Sequence, residues 1–164
     1  MTPPRFGIGY DVHPLAPGRP MVVGGVTIDS EFGPVGHSDA DVLCHAITDA
    51  LLGAAALGDI GELFPDTDEQ HAGADSVELL RKAVDHVLQA GFRPWNVDAT
   101  VNLETPKLIG HRDQMRTTLA GALGIPVDRV SVKATRGEGL GFVGRGEGMS
   151  AMAVVSVTEV EDGI

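Results

Sequence analysis

The feature that most limits the fold of this chain is the shortage of rings among its apolar residues. Aromatic residues make up only 4% of the sequence, while apolar residues as a group reach 43%. An interior built from Val, Leu, Ile and Ala must be packed in close layers, which favours helices laid directly on a sheet. The 164 residues suit a single domain over 1–164. Cys44 is the only cysteine, which excludes an intrachain disulfide and a Cys-based zinc finger. With no apolar run long enough to span a bilayer and no signal-like opening segment, a cytoplasmic protein with no membrane partner is expected.

The apolar spacing gives a coarse element order. Arg5 to His13 reads as a strand, and Met21 to Ile28, centred on Gly24-Gly25, as a hairpin. Residues 29–37 read as a loop. Ser38 is the expected N-cap of a helix running to about Leu57, with Asp41 completing a capping box. Residues 58–75 are polar and turn-rich, so a mobile loop is expected. Further helices are predicted from Ser76 to near Gly91 and from His111 to Leu123, ended by Gly124 and Pro126. Trp95 to Leu103, Val130 to Ala134 and Ser150 to Val160 read as strands, with a glycine-rich loop at 136–148. The order β-β-α-α-β-α-β-β favours an α+β fold, one sheet with helices on one face.

The formal net charge is −11, with only 12 Lys and Arg. Such a chain lacks the basic footprint of a nucleic-acid-binding protein. An anionic ligand would have to be received by metal ions, helix N-termini or a few placed side chains. Asp11 and His13, two apart on a strand, share a face. His45, in the second turn of the following helix, can project over the strand end. One carboxylate and two imidazoles suit zinc and leave a fourth position open. Each of these residues also has an ordinary structural explanation, and Cys44 should face the core because adjacent helix positions diverge by about 100°. His37 and Ser38 precede the same helix and could meet a phosphate there, or serve as a solvated histidine and a cap. The run from Arg136 to Gly148 matches neither a Walker nor a Rossmann loop, although its backbone could approach an anion closely.

Several blocks carry a resemblance: G-I-G-Y-D-V-H at 7–13, G-H-S-D-A-D-V-L-C-H-A-I-T-D-A-L-L-G-A at 36–54, G-D-I-G-E-L-F-P-D-T-D at 58–68 and G-R-G-E-G at 144–148. Together they resemble the 2-C-methyl-D-erythritol 2,4-cyclodiphosphate synthase family over nearly the whole chain. The resemblance implies a homotrimer of ferredoxin-like subunits with active sites between neighbours. It implies the substrate 4-diphosphocytidyl-methylerythritol 2-phosphate, a cyclic diphosphate product, and CMP as leaving group. By the same resemblance Asp11, His13 and His45 hold Zn²⁺, Asp11 and His13 also lying against the substrate, and His37 and Ser38 contact the diphosphate. Asp59 and Gly61 meet the ribose, and Phe64, Pro65, Asp66 and Asp68 cover the methylerythritol portion. Leu103, Pro106, Lys107, Leu108 and Ile109, with Ala134 and Thr135, form a cytosine pocket supplied by the neighbouring subunit. Glu138 ligates a second cation, Mg²⁺ or Mn²⁺, while Phe142 and Arg145 contact the ligand or line a central cavity open to an isoprenoid diphosphate.

The run Thr135-Arg136-Gly137-Glu138 departs from the family pattern, which commonly has a threonine where Arg136 stands. Thr135 could take the catalytic role, Arg136 could meet the phosphates, or Arg136 could point to solvent. A zinc phosphodiesterase of similar fold and an isoprenoid-diphosphate-binding module are the alternative functional readings.

Overall fold

A computed structural model describes residues 2–160; the ends of the expected domain, 1 and 161–164, lie outside the described residues. Strands β1 (Arg5–Pro17), β2 (Met21–Val23), β3 (Val26–Ile28) and β4 (Phe32–Pro34) precede helix α1 (Val42–Ala54). A one-turn helix α2 (Ile60–Leu63) leads to α3 (Ser76–Gln89), β5 (Phe92–Asn102), α4 (Arg112–Leu123) and β6 (Val130–Thr135). A second short helix, α5 (Gly141–Gly144), precedes β7 (Gly148–Glu159). The main sheet runs β4-β1-β7-β5-β6. Only β5 and β6 pair in parallel; the other neighbours are antiparallel. Strands β2 and β3 form a separate hairpin, whose Gly24 and Gly25 have φ of +58° and +74°, as a two-residue primed turn requires.

Helices α1, α3 and α4 cover one face of the sheet, the mixed α+β layering expected from the element order. The closeness expected from an aromatic-poor interior is greatest where α1 crosses β1. Residues 7, 9, 11 and 13 share the helix-facing side. A Cβ on Gly9 would lie 1.9 Å from the Ala46 carbonyl oxygen, and one on Gly7 2.0 Å from that of Ala50. Helix and strand therefore touch backbone to backbone, and no other residue type fits at those two positions. In β7, beneath the same helix, Ala151 and Ala153 keep the layer thin and are buried.

The opposite face of the sheet is uncovered. Phe6 and Ile8 are each 67% exposed, and Tyr10, Val12, Met152 and Val154 are about half exposed. The strand register pairs Ile8 with Val154 and Tyr10 with Met152, so these side chains form one apolar patch.

Several local expectations are corrected. Asp41, not Ser38, caps α1: its side chain accepts the Cys44 N–H and also those of Gly24 and Gly25. A carboxylate satisfies all three donors at once, which a hydroxyl cannot. The start of α1 is thereby tied to the hairpin, with Asp41 and Val42 fully buried. Helix α1 ends at Ala54 rather than Leu57, and residues 29–37 contain β4. The segment 58–75, expected as a loop, carries α2 and a 3₁₀ turn at Glu69–His71. Asp59 caps α2 by accepting the Glu62 N–H, and Ile60 N–H donates to Asp49. The glycine-rich run at 136–148 is likewise interrupted by α5.

Candidate metal and phosphate site

The backbone contact between β1 and α1 creates the site. Asp11 and His13 continue the side of β1 on which Gly7 and Gly9 lie, and His45 immediately precedes Ala46, the residue resting on Gly9. The three side chains meet: Asp11 Oδ2 lies 2.8 Å from His13 Nε2 and 3.1 Å from His45 Nδ1. The two imidazole nitrogens are 3.4 Å apart. Among the described residues these three form a group whose possible ligand atoms all lie within 4.8 Å of one another. Zinc held tetrahedrally at about 2.0–2.1 Å separates its ligand atoms by roughly 3.3 Å, so the donor set fits that ion.

Charge and burial act against each other here. Burial works to raise the Asp11 carboxyl, but the hydrogen bonds and charges of His13 and His45 outweigh it and hold the group below its ordinary value. Burial works to lower the His13 imidazole, but its bond to Asp11, the Asp11 charge and the Val35 carbonyl raise it. Without a metal the short His13–Asp11 contact therefore holds a proton between imidazole and carboxylate. A cation entering there displaces it.

A cavity of about 210 Å³ opens beside the cluster, lined by His13 and His45 together with His37, Ser38, Gly61, Phe64 and Asp66 among the expected site residues. Ser38 Oγ accepts the Ala40 N–H, and Ala40 itself has φ of +58°. A non-glycine residue in that region signals a turn held by its surroundings. His37 is exposed, and its carbonyl accepts the Gly73 N–H at 2.8 Å, tying the 58–75 segment to the cavity mouth. Pro65 is exposed on that segment, and Asp68 caps the 3₁₀ turn by accepting the Gln70 N–H.

Sequence reasoning passed over five residues of this region. His71, Ile60 and Leu79 line the cavity, and His71 stacks edge-on against Phe64 at 5.3 Å. Ser76 lies against His45 from behind, and Asp39 against Ser76. The histidine could have been suspected from its type; Ser76 and Asp39 read as ordinary helix-start and loop residues and gave no signal.

The other expected substrate residues gather elsewhere. Leu103, Pro106, Lys107, Leu108, Ile109, Ala134 and Thr135 line a separate cavity of about 290 Å³, joined by Glu104 and Arg136. It lies at the β5–β6 edge, whereas the metal cluster lies at β1. Both are at the same end of the sheet, about 14 Å apart by ordinary strand spacing. Arg136 does not extend freely into solvent: its guanidinium donates to Glu104 Oε1 at 3.0 Å. Glu104 Oε2 accepts the Gly137 N–H at 2.8 Å. The Gly137 N–H and then the Arg136 guanidinium hold the Glu104 carboxyl below its ordinary value. Glu138 follows with φ of +53°, its side chain exposed and apart from the other three ligand candidates. Phe142 lies against Gly148, and Arg145 pairs through two nitrogens with Glu147, the shorter contact being 2.8 Å.

A two-histidine, one-carboxylate cluster opening into a cleft is the arrangement of a metal-dependent enzyme rather than of a structural metal site. Comparison with known proteins makes this specific. The chain belongs to the YgbB family, whose model matches residues 4–158. It is 60% identical over 153 residues to the 2-C-methyl-D-erythritol 2,4-cyclodiphosphate synthase of Salinibacter ruber, covering 93% of this chain and 98% of that one. The corresponding synthase of Burkholderia thailandensis is also 60% identical over 153 residues, with 93% and 94% covered. A solved 2C-methyl-D-erythritol-2,4-cyclodiphosphate synthase in a CDP-bound form superimposes with a TM-score of 0.87 at 39% identity, covering 94% of this chain and all (100%) of that one. The bifunctional IspDF of Campylobacter jejuni superimposes with a TM-score of 0.93 at 44% identity over 98% of this chain, which spans 43% of that longer protein.

Proposed function

We propose that this chain is a 2-C-methyl-D-erythritol 2,4-cyclodiphosphate synthase. It converts 4-diphosphocytidyl-2-C-methyl-D-erythritol 2-phosphate to the cyclic diphosphate and CMP, as a phosphorus–oxygen lyase. The observation that carries the reading is the convergence of Asp11, His13 and His45 at a cavity also lined by His37 and Ser38, in a chain whose relatives bear that name.

A 2-phosphate oxygen attacks the β-phosphorus. The bond from that phosphorus to the oxygen bridging the α- and β-phosphates breaks, and the bridging oxygen departs with CMP. The nucleophile is already anionic, so positioning and charge neutralisation are needed more than a base. Zn²⁺ on the triad and Mg²⁺ or Mn²⁺ on Glu138, when bound, supply Lewis acidity and offset the phosphate charge. His37 and Ser38 donate hydrogen bonds to diphosphate oxygens. The Phe64–Asp68 segment excludes water from the methylerythritol portion, Asp59 and Gly61 hold the ribose, and Thr135 or Arg136 serves the catalytic position where the family commonly has a threonine.

The base pocket and the metal cavity share no residue within the chain, which supports an assembly in which one subunit's base pocket serves its neighbour's metal site. The uncovered apolar face of the sheet suits the contact between copies. Both features fit ferredoxin-like subunits in a homotrimer. In that arrangement Phe142 and Arg145 face a central cavity suited to an isoprenoid diphosphate. The buried lone Cys44 accords with a cytoplasmic setting. No helix among the described residues is long and apolar enough to cross a membrane.

Phosphorus NMR of the protein with the 2-phosphate substrate, Zn²⁺ and Mg²⁺ tests the reading. A cyclic diphosphate with CMP is expected. Open-chain phosphates alone would replace it with a zinc phosphodiesterase, and no turnover by folded, zinc-loaded protein with a binding module.

A further inference from the structure

The metal-facing nitrogens of His45 and His13 are backed by other groups, and those groups determine which nitrogen is free to bind a cation. His13 Nδ1 lies 3.0 Å from the Val35 carbonyl oxygen. A carbonyl only accepts, so Nδ1 carries a proton, and Nε2 is the nitrogen that presents its lone pair once a cation displaces the proton shared with Asp11. For His45 the device is longer. Its Nε2 lies 2.8 Å from Ser76 Oγ, and Ser76 Oγ donates to Asp39 Oδ1. Asp39 Oδ2 also accepts the Ser76 backbone N–H at 3.1 Å. Ser76 has one hydroxyl proton, and the Asp39 carboxylate takes it. The serine oxygen must then accept from His45, which puts a proton on Nε2 and makes Nδ1, on the side of Asp11, the nitrogen open to a cation.

We infer that Asp39 and Ser76 are positioning residues that fix the ring orientation and tautomer of His45, so that Nδ1 is the ligating atom. The inference rests on the reading of Asp11, His13 and His45 as metal ligands. Several details distinguish it from ordinary packing. Ser76 is fully buried at 0% exposure, yet its hydroxyl faces the imidazole rather than capping its own helix, a role taken by Asp75. Asp39 grips both the hydroxyl and the N–H of the same residue, so the serine cannot turn away. A metal-bound histidine with its second nitrogen tied to a carboxylate through one hydroxyl is a longer form of the outer-shell arrangement that orients metal ligands.

Ser38 Oγ lies 3.1 Å from His45 Nε2, against 2.8 Å for Ser76 Oγ, so Ser76 is the nearer acceptor. A hydroxyl that accepts keeps its own proton, and Ser38 can donate into the cavity in either case.

The test uses ¹⁵N-labelled full-length protein loaded with ¹¹³Cd, and chelator-competition titration with zinc. Cadmium coupling is expected to Nδ1 of His45 and Nε2 of His13, with a protonated Nε2 on His45. Ser76→Ala is expected to raise the zinc dissociation constant about 10–100-fold, and Asp39→Asn, which retains one acceptor, by a smaller factor. Both variants should keep the parent circular dichroism. Coupling to His45 Nε2, or a Ser76→Ala protein that binds zinc within twofold of the parent, would overturn the inference. His45→Ala separates the two readings: unchanged zinc binding in that variant would remove the metal assignment itself, whereas loss of zinc there with an unaffected Ser76→Ala would remove only the relay.

Discussion

Gly9→Ala tests whether the site exists because helix and strand touch without side chains between them. The new Cβ would lie 1.9 Å from the Ala46 oxygen and 2.8 Å from the Ala50 nitrogen. Relief even to 3.0 Å, a distance real Cβ contacts hardly go below, needs a shift of 3.0 − 1.9 = 1.1 Å. The obstructing atoms are helix backbone, so α1 must move as a body, and its buried residues, from Val42 to Ala54, lose their fit with it. Overpacking of this kind costs roughly 1–3 kcal/mol, and the rigidity of the obstacle puts this case at the upper end. For a domain of this size about 3 kcal/mol lowers Tm by roughly 6–12 °C, measured at one protein concentration because association also shifts Tm. His45 moves with Ala46, so the ligand atoms separate by about 1 Å, far outside the ~0.2 Å tolerance of a metal site, and zinc affinity falls at least tenfold. The assay is calorimetry with zinc titration, run beside Gly53→Ala. Gly53 is an exposed α1 glycine with nothing within 4 Å of an added Cβ, so this variant should gain up to about 1 kcal/mol. A Gly9→Ala protein matching the parent in both Tm and zinc affinity would refute the reasoning.

Glu104→Ala frees both Arg136 and the Gly137 N–H, so the Mg²⁺ concentration for half-maximal turnover should rise while zinc affinity stays constant; Arg136→Thr keeps the Gly137 bond and should have the milder effect in the same assay. Burial pushes the Asp41 carboxyl above its ordinary value of 3.8, with the Cys44, Gly25 and Gly24 N–H groups pulling the other way. The folded state therefore binds that proton more tightly than the unfolded chain, and the contribution is fully present below pH 3.8 and lost as pH rises through the folded value. Denaturant melts across that range should show a smaller decline for Asp41→Asn than for the parent, and parallel curves would contradict it. Chelation should abolish turnover yet leave cooperative unfolding intact, since the apolar interior is built without the triad; collapse of the circular dichroism signal on metal removal would mark a structural site instead.

The main elements were legible because their apolar periods are clean. Leu43, Ile47, Ala50, Leu51 and Ala54 trace the buried side of α1, and in β7 Met149, Ala151, Ala153, Val155 and Val157 are buried while Met152 and Val154 between them are exposed. The short elements were not. Helices α2 and α5 have four residues each, too few to show a period, and β4 is three residues paired to the end of β1. The cap of α1 was misplaced for a different reason. Ser38 and Asp41 are both good capping residues by type, and the choice fell to a long-range demand, the N–H groups of Gly24 and Gly25, which local sequence does not display.

The same division runs through the site. Asp11 and His13 could be paired from strand spacing, but nothing in their spacing brings His45 to them. That requires α1 to lie on β1 at one particular height, and the height is set by two glycines beneath two alanines. Gly7 and Gly9 read in sequence as strand punctuation, and Ala46 and Ala50 as unremarkable helix residues, yet together they define the distance at which a carboxylate and two imidazoles meet. A Cβ between the layers would leave all three residues in the sequence but carry His45 away from Asp11 and His13. The glycines therefore belong to the candidate metal site as fully as the residues whose atoms face it.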